Sequence, residues 1–153
     1  MAGLAACGGG ADGPDYASAF VGTWTGTASV TSGTNTNSAN NVALHITKTG
    51  TNALQVADIC DDLSGPAATA TSATSFTIGS RTCAPAPVTG CSSVTLAVAS
   101  GTGTISGNTL TVAMSANLSG CSQSFPVTLG FTGTKTASGS GPAGAFFPAL
   151  SLR

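Results

Sequence analysis

Strict alternation of apolar and polar side chains is the feature that most constrains how this chain folds. In residues 23–31, apolar or small side chains alternate with threonine and serine, and no segment of the chain shows a sustained 3.6-residue stripe. Later runs repeat the alternation, and their apolar members are Val42, Leu44 and Ile46, Leu54 and Val56, Phe76 and Ile78, Val94, Leu96 and Val98, Leu110, Val112 and Met114, and Phe125, Val127, Leu129 and Phe131. Period-two alternation is typical of strands buried on one face. The sequence therefore predicts an all-β protein.

The breaks between these runs predict how the strands connect. Residues 49–52 separate the second and third strands, and Gly107-Asn108 is typical of a tight hairpin. Longer links are predicted at residues 32–41 and 84–90. Short connections favour an antiparallel, up-and-down meander of eight or nine strands that closes into a small barrel. The alternative is a β-sandwich, although the Cys-Trp-Cys order of immunoglobulin-like domains is missing because Trp24 precedes all four internal cysteines.

Composition excludes several functional classes. Only 6% of the 153 residues are charged and the net charge is −1, so no basic patch is available for nucleic acid. No apolar run approaches the ~20 residues of a transmembrane helix. A transmembrane barrel needs aromatic girdles, which one Trp, one Tyr and six Phe can hardly supply. We expect a single domain and a monomer.

The five cysteines divide into one near the N-terminus, Cys7, and four in the strand-rich region, Cys60, Cys83, Cys91 and Cys121. An even internal set indicates disulfides and therefore an oxidising compartment. Three pairings are open. The positions of the predicted connections favour Cys60–Cys83 and Cys91–Cys121. Zinc binding is the competing interpretation, which is disfavoured because no Cys-x-x-Cys pair occurs and the single histidine is remote in sequence.

The segment Leu4-Ala5-Ala6-Cys7 resembles the lipobox of bacterial lipoproteins, where a diacylglyceryl group is attached to the cysteine after signal cleavage. The resemblance implies lipid attachment at Cys7 and anchoring to the membrane of a bacterial envelope, at the outer membrane or the cell surface. Residues 1–7 are then the remnant of a signal, and residues 8–19 are a flexible tether. The alternative is a free thiol in a disordered tail.

A second resemblance concerns the start of the first strand. Gly22-Thr23-Trp24 resembles the Gly-x-Trp motif at the beginning of lipocalins and related calycin barrels, and residues 16–20 fit the short turn that plugs one barrel end. The resemblance implies that Trp24 packs across the closed end beneath a basic residue, for which Lys135 is in the matching place. We expect a barrel domain over residues 20–136 and a poorly ordered tail over residues 137–153. The alternative for Trp24 is an ordinary core position.

Candidate catalytic groups are few. His45 is the single imidazole and is predicted on a solvated strand face, while Asp58, Asp61 and Asp62 form one acidic cluster. Such aspartates usually bond their own backbone in turns, and calcium binding is the competing interpretation. No nucleophile elbow, zinc-protease motif or phosphate loop is present. The sequence therefore predicts no catalytic site, no metal site, no cofactor and no enzymatic activity.

Two functions remain open at this point. The first is an envelope-anchored lipoprotein whose barrel binds a small apolar ligand. The second is a structural or protein-interaction lipoprotein whose barrel is filled by its own side chains. About eight strands allow either arrangement. The sequence favours neither, because small residues such as Gly26, Ala28 and Ala116 alternate with Trp24, Leu110, Met114 and Phe125.

Overall fold

The computed structural model describes residues 14–60, 65–88 and 90–136. A short 3-10 helix at Ala17–Ala19 precedes the first strand. The strands are β1 Gly22–Ser32, β2 Asn35–Gly50, β3 Ala53–Val56, β4 Ala67–Ser72, β5 Ser75–Ile78, β6 Arg81–Thr82, β7 Ala86–Val88, β8 Cys91–Ser106, β9 Thr109–Gly120 and β10 Gln123–Thr136. Within this described part of the chain, no helix has the length and hydropathy needed to cross a membrane.

Eight of these strands form a closed ring. Its order is β1-β2-β3-β4-β5-β8-β9-β10, and the pairings β10–β1 and β5–β8 close it. Every pairing is antiparallel, and β6 and β7 lie against β8 within the connection that joins β5 to β8. The predicted all-β, antiparallel up-and-down meander is confirmed, and the β-sandwich alternative is wrong. Each ring strand has a neighbour on both sides, which protects the sheet edges.

Apolar side chains face the inside of the ring, and hydroxyl-bearing side chains face outward. In β9, Leu110, Val112 and Met114 are buried, whereas the alternate residues Thr111 and Ser115 are exposed. The interior therefore forms the hydrophobic core. The outer wall is polar, which is the opposite of a transmembrane barrel, whose lipid-facing wall is apolar.

The segment 32–41 is not the predicted long link. β1 and β2 are joined by a two-residue turn at Gly33-Thr34, and β2 begins at Asn35. A bulge explains the error, because Asn40 and Asn41 together lie opposite Thr27, and Asn41 adopts a φ of 60°. Ala39 faces inward before the bulge, and the next inward-facing residue is Val42. The spacing of three residues interrupts the period-two alternation by which a strand is recognised in sequence.

The last part of the predicted tether packs on the barrel. Ala17 is fully buried, and the Tyr16 backbone N–H donates a hydrogen bond of 2.6 Å to Asn52 Oδ1. Residues 14–19 therefore close one end of the ring instead of forming a flexible spacer. The predicted signal remnant with Cys7, the rest of the tether up to residue 13 and the tail at 137–153 lie outside the described residues.

Connections alternate between the two ends of an up-and-down ring. The end at which β1 starts carries the 3-10 helix and three two-residue turns, at residues 51–52, 73–74 and 107–108. We call it the tryptophan end, after Trp24. The opposite end carries two short turns, at residues 33–34 and 121–122, and two long connections, at residues 57–66 and 79–90. We call it the cystine end, because all four internal cysteines lie there.

Candidate functional site

The inside of the ring is filled by side chains. Buried residues from all eight ring strands form one continuous apolar cluster. Its largest fully buried members are Phe20, Phe76, Phe131, Leu44, Ile46, Leu54, Ile59, Leu96, Leu110, Met114 and Leu129. Glycine makes room for one of the rings, because a Cβ atom on Gly103 would lie 2.1 Å from Phe76 Cζ. Small and large residues thus complement each other across the interior.

Two grooves lie on the outer surface of the described barrel wall. One groove of about 450 Å³ runs over β5, β8, β9 and β10, and a second of about 370 Å³ lies beside it. The two grooves share Ser115 and Thr128, and no charged residue lines either of them. Most of the lining residues are exposed, so these are shallow depressions on the outer surface.

The tryptophan end brings Trp24 and Lys135 together. Trp24 is 2% exposed, and its indole Nε1 donates a hydrogen bond of 2.9 Å to the Phe20 carbonyl oxygen. Lys135 Nζ lies 5.3 Å from the indole centroid, within the range of a cation–π interaction. A Cβ on Gly22 would lie 2.7 Å from Lys135 Cε, so the glycine leaves space for the lysine stem. Phe20 packs edge-on against Phe76, with ring centroids 4.9 Å apart.

A polar network fastens the 3-10 helix to the turn between β2 and β3. Asp15 pairs with Lys48, and its Oδ1 accepts hydrogen bonds from the backbone N–H groups of Ala17 at 3.1 Å and Asn52 at 3.3 Å. Asn52 Nδ2 in turn donates to the Pro14 carbonyl oxygen at 3.0 Å. The hydrogen bond from Lys48 is the largest cause that lowers the pKa of Asp15, and the Asn52 N–H adds to it.

Two disulfides brace the cystine end, with the pairing that the sequence favoured. Cys60–Cys83 joins the two long connections, with a Cα–Cα distance of 4.9 Å. Cys91–Cys121 joins the first residue of β8 to the turn between β9 and β10, with a Cα–Cα distance of 5.9 Å. Ile59, next to the first disulfide, is fully buried in the core. The cystine end is therefore closed as well.

His45 and Asp58 form a pair that sequence reasoning missed. Asp58 Oδ2 accepts a hydrogen bond of 3.0 Å from the His45 backbone N–H and also contacts His45 Nδ1. Asp58 is 5% exposed, and the His45 side chain is half-buried instead of solvated. Asp58 has a φ of 72°, a left-handed conformation that aspartate tolerates better than most residues. Alternation along β2 could place His45 on the outer face, but nothing local indicates its partner.

No group of three or more His, Cys, Asp or Glu side chains suited to a metal ion occurs among the described residues. Asp58, the described member of the predicted acidic cluster, contacts His45 through its Oδ2. Asp61 and Asp62, like Cys7, lie outside the described residues, so the calcium alternative and lipid attachment stay untested.

No sequence model of a known protein family matches the chain, and no curated protein matches it. In three dimensions it is similar to a Bacteroides fragilis NCTC 9343 protein, known from a crystal structure, that is provisionally described as an outer membrane protein. The two share 14% identity with a TM-score of 0.49 over 78% of this chain and 52% of that one, so this chain spans about half its length. A likeness of this degree carries no functional argument. The lipobox and lipocalin resemblances therefore stay predictions.

Proposed function

We propose that this chain is an exported protein of a bacterial envelope, held to a membrane by a lipid on Cys7, whose filled barrel serves as a structural or protein-interaction module. The observation that carries the proposal is the continuous core inside the ring, closed by Trp24 and Phe20 at one end and by Ile59 and the Cys60–Cys83 disulfide at the other.

The filled interior argues against the alternative of a small apolar ligand inside the barrel. Such a ligand would have to displace fully buried side chains such as Phe76, Leu96 and Met114. Each displaced side chain gives up close-packed contacts and apolar burial of about 1.5–3 kcal/mol. A ligand-binding barrel has a preformed cavity instead. We therefore favour the structural or interaction role over ligand binding.

Export is supported by the two disulfides, because such bonds persist in oxidising compartments such as the periplasm. The anchor is supported by the Leu4-Ala5-Ala6-Cys7 resemblance. We assign the protein no reaction, no cofactor and no nucleic-acid partner. The His45–Asp58 pair has a structural role in this proposal, because both of its contacts fasten β2 to the connection after β3.

Lipidation tests the anchor directly. The full chain would be expressed behind a lipoprotein signal that ends at Leu4-Ala5-Ala6-Cys7, in bacteria fed an alkyne-tagged fatty acid. We expect the tag on the protein and the protein in the membrane fraction. The matched control, Cys7→Ala, is expected to be untagged. Equal tagging of the two proteins would contradict the anchor at Cys7.

Native mass spectrometry tests the filled barrel. The Cys7→Ala chain, exported behind an ordinary cleavable signal and purified from the periplasm without reductant, is expected to have the mass of the polypeptide with two disulfides and nothing bound. A bound species of constant mass that is lost on denaturation would contradict the structural role and restore the ligand-binding alternative. The two experiments are independent, because neither result depends on the other.

A further inference from the structure

We propose that the Cys91–Cys121 disulfide is a thiol–disulfide exchange site for a dithiol, whereas Cys60–Cys83 is a permanent link of the core. The inference goes beyond the proposed function, and it stands with or without the lipid anchor.

The first argument is access to the sulfur atoms. Cys60 is 4% exposed and Cys83 is 2% exposed, and both belong to the continuous core cluster. Cys121 is exposed at the tip of a hairpin, and Cys91 is half-buried where it packs against the edge of the core. Exchange requires a thiolate to reach a sulfur atom, so only the second disulfide is open to attack in the folded protein.

The second argument is the backbone of the turn that carries Cys121. The turn between β9 and β10 has two residues, and Cys121 and Ser122 have φ values of 50° and 64°. Two positive φ angles are needed in the commonest two-residue hairpin turn, where Asn and Gly are preferred because other residues are strained there. Neither position carries a preferred residue. The turn that carries the disulfide therefore holds an unfavourable backbone conformation.

The chemistry balances with a dithiol as the reductant. One thiolate of the dithiol attacks Sγ of Cys121, the more exposed residue of the pair, and the Sγ–Sγ bond to Cys91 breaks. The Cys91 thiolate that leaves takes up a proton, and a mixed disulfide remains on Cys121. The second thiolate of the dithiol then attacks its own mixed-disulfide sulfur and releases Cys121, which also takes up a proton. The protein gains two electrons and two protons, and the dithiol is oxidised to a disulfide.

Reduction at this site leaves the ring intact. The β9–β10 pairing runs from Gln123↔Gly120 to Thr134↔Thr109, and β8 is paired with β9 over most of its length. The cross-link between the long connections, Cys60–Cys83, stays closed. Reduction frees the β9–β10 turn from the start of β8, where Cys91 pairs with Val88 of β7. Exchange therefore alters the surface of the cystine end without unfolding the barrel.

The test is a reduction time course on the oxidised, folded full chain. Any free Cys7 is first blocked by alkylation, dithiothreitol is added in native buffer, and released thiols are trapped with an isotope-labelled alkylating reagent and mapped to peptides. We expect Cys91 and Cys121 to be labelled at least about a hundredfold faster than Cys60 and Cys83, because the buried pair is reached only through opening of the structure. Equal rates, or faster labelling of Cys60 and Cys83, would overturn the proposal.

Two further measurements separate exchange from unfolding. The protein reduced only at Cys91–Cys121 is expected to keep its far-UV circular dichroism and the emission of buried Trp24, and loss of both would overturn the proposal. With the monothiol glutathione as the probe, the adduct is expected on Cys121, and a predominant adduct on Cys91 would overturn the stated order of attack. The Cys91→Ser/Cys121→Ser variant is the matched control and should lack the fast labelling phase.

Discussion

The two ends of the barrel are closed by different chemistry. The tryptophan end has three two-residue turns, and its cover consists of aromatic packing, one cation–π contact and the Asp15–Lys48–Asn52 network. The cystine end has two long connections and is held by two disulfides. Covalent bonds therefore occur at the end with the long connections, which have the most conformational entropy to lose on folding. The end that has only short turns and the 3-10 helix is held by noncovalent contacts.

Truncation of the indole should produce the largest loss, because it opens the tryptophan end. Trp24→Ala is expected to lower the free energy of unfolding by about 3–5 kcal/mol, from lost burial plus the cavity that remains. Urea unfolding followed by far-UV circular dichroism measures it. In Trp24→Phe, which keeps an aromatic ring but lacks the bond to Phe20, the loss should be smaller. A loss below about 1 kcal/mol for Trp24→Ala would show that this end does not depend on the indole.

Removal of the buried disulfide should weaken the cystine end by a similar but slightly smaller amount. The cysteines are separated by 23 residues in sequence, and for a loop of this size the chain-entropy account gives about 3 kcal/mol. We expect this loss in Cys60→Ala/Cys83→Ala, measured by urea unfolding without reductant. Cys91→Ser/Cys121→Ser serves as the comparison, since its loop of 30 residues gives a slightly larger entropic loss by the same account. A loss below about 1 kcal/mol in Cys60→Ala/Cys83→Ala would contradict the bracing role of the buried bond.

A methyl group added at Gly103, in the barrel wall near the tryptophan end, should lower the free energy of unfolding by less. Gly103→Ala places a Cβ atom 2.1 Å from the Phe76 ring, and Phe76 packs on Phe20. We expect a loss of about 1–3 kcal/mol from overpacking, measured by thermal or urea unfolding. Gly79→Ala is the matched control on the cystine side, since the nearest atom to its Cβ would be Ala67 O, 3.4 Å away. Equal losses in both variants would argue against a tightly filled interior.

The cation–π contact between Lys135 and Trp24 should contribute still less to the free energy of unfolding. Lys135→Met keeps an unbranched side chain across Gly22 but removes the charge above Trp24, so we expect a loss of about 0.5–1 kcal/mol. Lys135→Arg should retain most of the interaction. Unfolding measured for Lys135→Met in a Trp24→Phe background completes a double-mutant cycle. A coupling energy near zero would mean that the contact is only proximity.

The smallest effect concerns acid stability at the tryptophan end. The hydrogen bond from Lys48 lowers the pKa of Asp15 in the folded protein below that of the unfolded chain. The resulting stabilisation is present above the unfolded pKa, about 3.9, and is lost as the pH falls through the folded pKa. Asp15→Asn should therefore destabilise the protein slightly near neutral pH and progressively less as the pH falls below the unfolded pKa. An effect of the substitution that does not change with pH would contradict the lowered pKa.

Much of the fold follows from local sequence. Alternation predicted the antiparallel meander, and turn residues such as Gly107-Asn108 located the hairpins, because both depend on neighbours in the chain. The positions of the cysteines relative to the predicted connections were enough to favour the pairing that the structure has. The start of β2 was missed, because the bulge at Asn40 and Asn41 changes the inward phase of the strand.

The features that decide function depend on contacts between distant residues. Whether the barrel is filled depends on stagger between strands, which places Phe76 over Gly103 and Met114 beside Gly101. Neither contact has a signature in sequence. The His45–Asp58 pair was missed for the same reason, since it joins a strand to a left-handed turn residue that lies 13 positions away.

Closure of the ring through β1 and β10 has a consequence for the order of folding. Thr23 pairs with Thr136, and the Thr136 hydroxyl donates to the Thr23 carbonyl oxygen across 113 residues of sequence. During synthesis, β1 therefore cannot pair with β10 until nearly the whole described chain has been made. Contacts of such long range are associated with slow folding. The nascent chain meanwhile presents β1 with one unpaired side, a state that benefits from a chaperone until the last strand arrives.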